Sequence, residues 1–135
     1  AEKANYLIGG MHALPGTKQD APSTEQLADE FLAALERFAG SGIDVLAHPF
    51  RIFRRNKLSP PERLFDPVVR ILRENGVAAE INFHTNEPPE TFFRLCLEAD
   101  VQLTFGSDSH NLYEIGDFAL HIDFLRRCGF DGDRR

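Results

Sequence analysis

Apolar residues follow two alternating patterns along the chain: short runs typical of buried strands, and longer stretches in which apolar positions recur at helical spacing. The short runs predict strands at about 5–12, 43–47, 77–82 and 101–105. The longer stretches predict helices at about 23–39, 59–75, 89–98 and 117–128. Strands separated by helices of this length are usually parallel neighbours joined by right-handed crossovers. The predicted fold class is therefore α/β.

Local signals mark the ends of these helices. Ser23-Thr24-Glu25-Gln26 has the spacing of a capping box, which predicts the start of the first helix. Ser59-Pro60-Pro61-Glu62 is a second N-terminal signal, but Asp66-Pro67 predicts a break or restart before Val68. Gly76 predicts the end of that helix.

Composition and charge limit the classes of function. The chain has 135 residues, enough for one domain with a core, and it is 42% hydrophobic and 27% charged, as in ordinary globular proteins. The net charge of -6 argues against broad affinity for nucleic acid or for anionic membranes. No apolar run approaches the roughly 20 residues of a membrane span, and the N-terminal stretch lacks the features of a signal peptide. Two cysteines far apart in sequence indicate no disulfide framework, so we expect a cytoplasmic protein.

Chemically versatile side chains follow each predicted strand. In a parallel α/β sheet all strand C-termini lie at one edge, and the loops that follow them carry the chemistry. The residues predicted at this edge are His12, His48, Glu80, Asn82, His84, Asp108 and His110. Four of the five histidines are thus predicted at one edge, whereas His121 lies within a predicted helix and is expected to be a packing or surface residue.

Imidazole and carboxylate groups at one sheet edge predict a metal site, because such groups suit zinc, manganese and iron. Taken singly, each histidine is better explained as a hydrogen-bonded loop residue, and the triplet Asp108-Ser109-His110 as part of an ordinary turn. Taken together, however, His12, His48, Asp108 and His110 favour a metal site over ordinary loop residues. Pro49 also predicts an extended backbone for His48, which would set the direction of its ring.

A basic segment follows His48 directly. It runs from Phe50 to Lys57 and places four cations in a chain that is acidic overall. A guanidinium pairs with phosphate oxygens through two parallel hydrogen bonds, which makes Arg51, Arg54 and Arg55 candidate phosphate-binding residues. Arg51 is the nearest of them to the predicted metal edge. The alternative is a solvated basic loop or short helix that binds no ligand.

The stretches IGGMH, DVLAHPFR, AAEIN and FGSDSH, in this order and spacing, resemble the later motifs of the PHP (polymerase and histidinol phosphatase) family of metal-dependent phosphoesterases. The resemblance extends from about Tyr6 to Phe130. It implies a distorted (βα)7 barrel with two or three metal ions at the strand C-terminal ends. Motif by motif, it implies the metal ligands His12, His48, Asp108 and His110, and a structural or substrate-facing place for Glu80 and Asn82.

The sequence departs from this family in its early motifs. The H-x-H strand, the further early histidines and the bridging glutamate that precede these motifs in the family have no counterpart before Tyr6. At about 30 residues per βα unit, 135 residues hold about four units, roughly the second half of such a barrel. We therefore expect the missing N-terminal half, or self-association, to complete the fold. We also expect partial metal occupancy and negligible activity from this chain alone.

The expected activity is phosphate monoester hydrolysis of the histidinol-phosphatase kind, in which a metal-activated water attacks phosphorus in a small phosphorylated substrate. The expected cofactors are divalent metal ions: zinc, manganese or iron. Two alternatives stay open. One is a non-catalytic metal-binding or interaction domain, and the other is a metal-dependent amide or nucleobase hydrolase, which would not need the basic segment.

Overall fold

The structure, a computed structural model, describes residues 5–18 and 22–132. Four parallel strands form one sheet in the order β1-β2-β3-β4, and helices flank it. The strands are β1 (Ile8–Gly9), β2 (Val45–Leu46), β3 (Ala78–Asn82) and β4 (Leu103–Gly106). The α-helices are α1 (Thr24–Ala39), α2 (Arg51–Arg55), α3 (Phe65–Asn75), α4 (Glu90–Glu98) and α5 (Ala119–Arg127), and two 3₁₀ turns span Pro15–Lys18 and Glu62–Leu64. The predicted α/β class is confirmed.

Two predicted helix ends and one predicted helix restart are confirmed. The Ser23 hydroxyl accepts a hydrogen bond from the Gln26 N–H at 3.1 Å, and Gly76 ends α3 with a φ of 65°, which glycine adopts at little cost. The break or restart predicted before Val68 lies at Phe65, where the 3₁₀ turn Glu62–Leu64 gives way to α3, so the α-helix begins later than the predicted residue 59. Pro67 lies in the first turn, where backbone N–H groups have no partner within the helix, so it removes no hydrogen bond. None of the helices in the described ranges is both long and apolar enough to cross a membrane.

The strands are shorter than predicted. β1 and β2 pair over two residues each, Ile8–Gly9 with Val45–Leu46. Just before this pairing, the Leu7 N–H donates to a side chain, Asp44 Oδ2 at 2.7 Å, instead of to a strand carbonyl. The pairing of β3 with β4 is longer and brings the C-terminal ends of these two strands side by side.

Alternation along β3 divides its side chains between two faces. Ala79 and Ile81 are fully buried in the core that the helices cover, whereas Glu80 and Asn82 point to the opposite face. Phenylalanine dominates the core; the largest fully buried side chains are those of Phe31, Phe53, Phe92 and Phe93. Since Phe53 belongs to α2, the basic segment forms a helix that is anchored in the core, which the sequence left open.

Both outer strands present an open edge, because no further strand pairs with β1 or β4 among the described residues. Tyr6, Leu7 and Ile8, at and just before β1, are 73%, 52% and 65% exposed. Open edges and contiguous exposed apolar side chains favour contact with another element. The sheet is consistent with part of a βα barrel, and the described residues do not close it.

Candidate functional site

The candidate site lies at the C-terminal ends of the strands and begins with His48, which follows β2. Its backbone φ is 34°, in the left-handed region, so the extended conformation predicted from Pro49 is wrong. The reason lies in the neighbouring strand: the buried Glu80 carboxylate accepts the His48 N–H at 2.8 Å. This hydrogen bond fixes a backbone conformation that local sterics disfavour, and strain of this kind is typical of functional sites.

Glu80 also explains the glycine that ends β4. Its Oε2 accepts a second hydrogen bond, from Asn82 Nδ2 at 3.2 Å, so the carboxylate holds two donors in a buried position. A Cβ atom on Gly106 would overlap the Glu80 side chain, which lies directly across the glycine backbone. The glycine in FGSDSH is therefore required by a buried carboxylate on the adjacent strand, and it is not merely a turn residue. Glu80 and Asn82 have a structural role in this arrangement.

Arg51 joins α2 to the loop after β4. Its guanidinium is buried, and Nη2 donates to Asp108 Oδ2 at 2.5 Å and to the His84 carbonyl at 2.7 Å, with Asn82 Oδ1 at 3.4 Å. Arg51 Nε is buried without a hydrogen-bond partner among the described residues. The hydrogen bond from Arg51 lowers the pKa of the Asp108 carboxyl below its usual value, so Asp108 is ionised at neutral pH.

His12 and His48 form the first of two histidine pairs. Their ring centroids are 4.9 Å apart, with His12 exposed and His48 buried. A Cβ on Gly10 would lie 3.0 Å from His48 Nε2 and 3.1 Å from His12 Nε2, so both nitrogens border the same small space that the glycine leaves open. Burial, reinforced by the positive charge of Arg51, lowers the pKa of His48 to about 4. His48 is therefore neutral at physiological pH, as a metal ligand must be.

His84 and His110 form the second pair, with rings stacked 4.4 Å apart at an interplanar angle of 12°. His110 Nδ1 lies 2.7 Å from the Asp108 carbonyl oxygen. Because a carbonyl oxygen only accepts, Nδ1 carries a proton, and in the neutral imidazole Nε2 then presents its lone pair. The sequence placed His84 at the correct edge but did not include it among the candidate ligands. The signal that could have done so is its position two residues beyond Asn82.

The four predicted ligands are thus brought to the same edge, but only His12 and His48 pair with each other. In the part of the chain that the structure describes, no three His, Cys, Asp or Glu side chains lie close enough to hold one ion. His12 and His48 fit two positions of an imidazole-ligated site, since both Nε2 atoms face the space beside Gly10. Asp108 is bonded to Arg51 instead, and His110 is stacked on His84.

Of the three candidate phosphate-binding arginines, the structure brings Arg51 to this site. Arg54 is exposed and pairs with the exposed Glu87 at 2.5 Å, and Arg55 is also exposed. Exposed ion pairs contribute at most about 1 kcal/mol, so the Arg54–Glu87 pair constrains little. Arg54 and Arg55 lie on the outer side of α2.

Comparison with known proteins gives one informative similarity, and no protein-family model matches the chain. Over 83 residues the chain is 34% identical to a protein of Acetivibrio thermocellus named "probable phosphatase". The match covers 56% of this chain and 32% of the phosphatase, so the chain spans about a third of the length of this relative. The name specifies neither a metal nor a substrate.

Proposed function

We propose that the chain contributes the later part of a PHP-type, metal-dependent phosphoesterase that hydrolyses small phosphate monoesters of the histidinol-phosphate kind. The observation that carries this proposal is the meeting of two kinds of group at one edge of the sheet. The Nε2 atoms of His12 and His48 border the space beside Gly10, and the ion pair between the buried Arg51 and the exposed Asp108 lies next to His48. Imidazoles suit a metal, and a guanidinium suits a phosphate. The similarity to a probable phosphatase supports the same conclusion.

His12 and His48 would hold a divalent ion of zinc, manganese or iron, with Asp108 and His110 as further ligands. A bound metal lowers the pKa of a water ligand and polarises a phosphate oxygen. The protein contributes ligands already in the required protonation states: His48 is neutral because its pKa is low, and Asp108 is ionised for the same reason. His110 presents Nε2 because its Nδ1 hydrogen is held by the Asp108 carbonyl.

The Arg51–Asp108 pair couples metal binding to phosphate binding in this proposal. Asp108 Oδ2 is engaged by Arg51 Nη2, so the carboxylate ligates a metal fully only when that pair opens. Opening releases a guanidinium that is buried and needs a new acceptor, because an unpaired buried charge is costly. The oxygens of a phosphate ester would supply that acceptor. Metal and phosphate are therefore expected to bind more tightly together than separately.

Completion of the fold forms part of the proposal. The open edges of β1 and β4 and the exposed side chains of Tyr6, Leu7 and Ile8 are surfaces that further strands of a barrel would cover. Such strands would come from a longer protein or from a second copy of the chain. They would also supply the ligands that the two histidine pairs lack.

The test measures metal binding on this chain and turnover on a longer protein that carries it. By calorimetry we expect weak binding of Mn²⁺ or Zn²⁺ to the 135-residue chain, reduced at least about 10-fold in His12→Ala. Glu74→Gln is the matched control: Glu74 is exposed near the end of α3, at the opposite edge of the sheet, and its change should leave affinity unaltered. In the longer protein we expect Mn²⁺- or Zn²⁺-dependent hydrolysis of p-nitrophenyl phosphate that stops in EDTA.

Other results would redirect the assignment. Metal binding without phosphate release in the longer protein would favour a non-catalytic metal-binding domain. Release from amide or nucleobase substrates, with none from phosphate esters, would favour the other hydrolase class. Equal metal affinity of His12→Ala and the unchanged chain would remove His12 from the ligand set.

Arg51→Ala should lower kcat/KM for phosphate monoesters about 10- to 150-fold, since a hydrogen bond to a charged group contributes about 1.5–3 kcal/mol. Metal affinity should not fall, because the substitution frees Asp108. Arg54→Ala is the control: Arg54 lies three residues further along α2 and is exposed, so its substitution should leave kcat/KM unchanged. Because Arg51 is buried, thermal unfolding of each variant must accompany the kinetics. Equal losses in both folded variants would mean that the segment acts only through its overall charge.

A further inference from the structure

His121 is a buried histidine that the metal site does not use. It lies in α5 and is only 4% exposed. Its Nε2 is 3.0 Å from the carbonyl oxygen of Gly106, and since a carbonyl only accepts, Nε2 carries the proton and donates. Gly106 is the last residue of β4 and stands two residues before Asp108. A side chain of α5 thus holds the backbone from which the site loop departs.

The same ring also contacts the loop after β3. Phe83 packs edge-on against His121, with centroids 5.1 Å apart at 86°. Phe83 lies between Asn82, which accepts from Arg51, and His84, which stacks on His110. His121 therefore contacts the chain at both places that carry site residues: it hydrogen-bonds the end of β4 and packs its ring against Phe83 in the loop after β3.

Packing alone does not account for a histidine at this position. Its Nδ1 is buried without a hydrogen-bond partner among the described residues. An unpaired buried polar atom costs free energy, so a phenylalanine or leucine would fill the same space more favourably. The hydrogen bond from Nε2 to Gly106 offsets that cost and is the feature that only a side chain with a donor can supply.

The loop that His121 anchors needs such support. Asp108 has a φ of 47°, in a region that residues other than glycine rarely adopt. The Arg51 ion pair holds its side chain, but that pair must open when Asp108 ligates a metal under the proposed function. The hydrogen bond from His121 to the Gly106 carbonyl then remains to hold the start of the loop.

We propose that His121 is a positioning residue of the site: by holding the Gly106 carbonyl and packing on Phe83, it sets the place of Asp108 and His110 relative to the β3 loop. The inference rests on the proposed function for its consequence, metal binding, but the positioning itself is a property of the chain alone. His121 would act through these contacts and is not one of the proposed metal ligands.

The experiment compares two substitutions. His121→Phe keeps an aromatic ring against Phe83 but has no donor, whereas His121→Gln places an amide N–H near the position of Nε2. We expect the Phe variant to unfold at the same or a higher temperature, to shift the backbone amide resonances of Ser107 to His110, and to bind Mn²⁺ about 10-fold more weakly. The Gln variant should restore the amide resonances and most of the affinity.

Two outcomes would overturn the inference: unchanged resonances and Mn²⁺ affinity in the Phe variant, or a Gln variant as impaired as the Phe variant. The resonances are recorded without metal, so they report the position of the loop even if the unchanged chain binds no Mn²⁺. In that case the proposed function fails and the positioning role is still decided. The unfolding temperature distinguishes a change in loop position or in Mn²⁺ affinity from a simple loss of stability.

Discussion

Gly106→Ala is expected to lower the free energy of unfolding by about 2–5 kcal/mol, a large loss for one added methyl group. The new Cβ would overlap the Glu80 side chain. Glu80 cannot move aside at low cost, because its Oε2 accepts hydrogen bonds from the His48 N–H and from Asn82 Nδ2. Either β4 shifts away from β3 or two buried donors lose their acceptor, and both are costly.

Gly40→Ala provides the control for this prediction. Gly40 has a φ of -74°, and the nearest atom to an added Cβ there is 3.7 Å away. Alanine fits that conformation and restricts the unfolded chain, so this variant should be as stable as the parent or more stable by about 0.4–1 kcal/mol. Urea unfolding of both variants measures the difference. Removing the obstruction with Glu80→Ala should make the Gly106→Ala change nearly neutral in the double variant; a Gly106→Ala protein of parental stability would contradict the packing described here.

Local signals in the sequence were sufficient for the element order and for the edge at which the chemistry lies. Ser23 and Gly76 act within three or four residues of themselves, through a hydroxyl that caps α1 and a left-handed φ that ends α3, so their effects can be read from neighbouring residues. The edge followed from topology, because parallel strands place every strand C-terminus on one side. His12, His48 and His84 therefore fall at one edge, although the sequence could not show which of them pair.

Contacts distant in sequence were the part that could not be predicted. The sequence favours Arg51 because it is near the predicted metal edge, yet its buried position depends on Asp108, 57 residues away, and on the His84 carbonyl, 33 residues away. The left-handed backbone of His48 likewise depends on Glu80, 32 residues away. The local effect of Pro49 pointed the other way. Tertiary hydrogen bonds of this kind override local preference, and here they are concentrated at the candidate site.

As the pH falls from about 6.5 to about 4, the low pKa of His48 is expected to lower the free energy of unfolding of the metal-free protein by on the order of 3 kcal/mol. Burial is the main cause of the low pKa of His48, and the charge of Arg51 adds to it. In the unfolded chain the same imidazole takes up a proton near its ordinary pKa of 6.5. Below that pH the unfolded state therefore binds a proton that the folded state excludes. The contribution is fully present above pH 6.5, falls as the pH drops toward 4, and has no further slope below 4.

Comparison with His48→Asn isolates this contribution, because asparagine does not titrate and tolerates the left-handed φ of 34° at this position. Urea unfolding of both proteins in EDTA, at intervals from pH 7.5 to 3.5, should show the parental protein losing about 3 kcal/mol more than the variant across the window. The other titrating groups are shared, so the groups that do not interact with His48 cancel in this difference. The His48 ring resonances should titrate with a midpoint near 4 in the folded protein. Parallel stability curves for the two proteins would show that His48 takes up its proton equally well in both states, and the neutral ligand assumed for metal binding would then have no basis in burial.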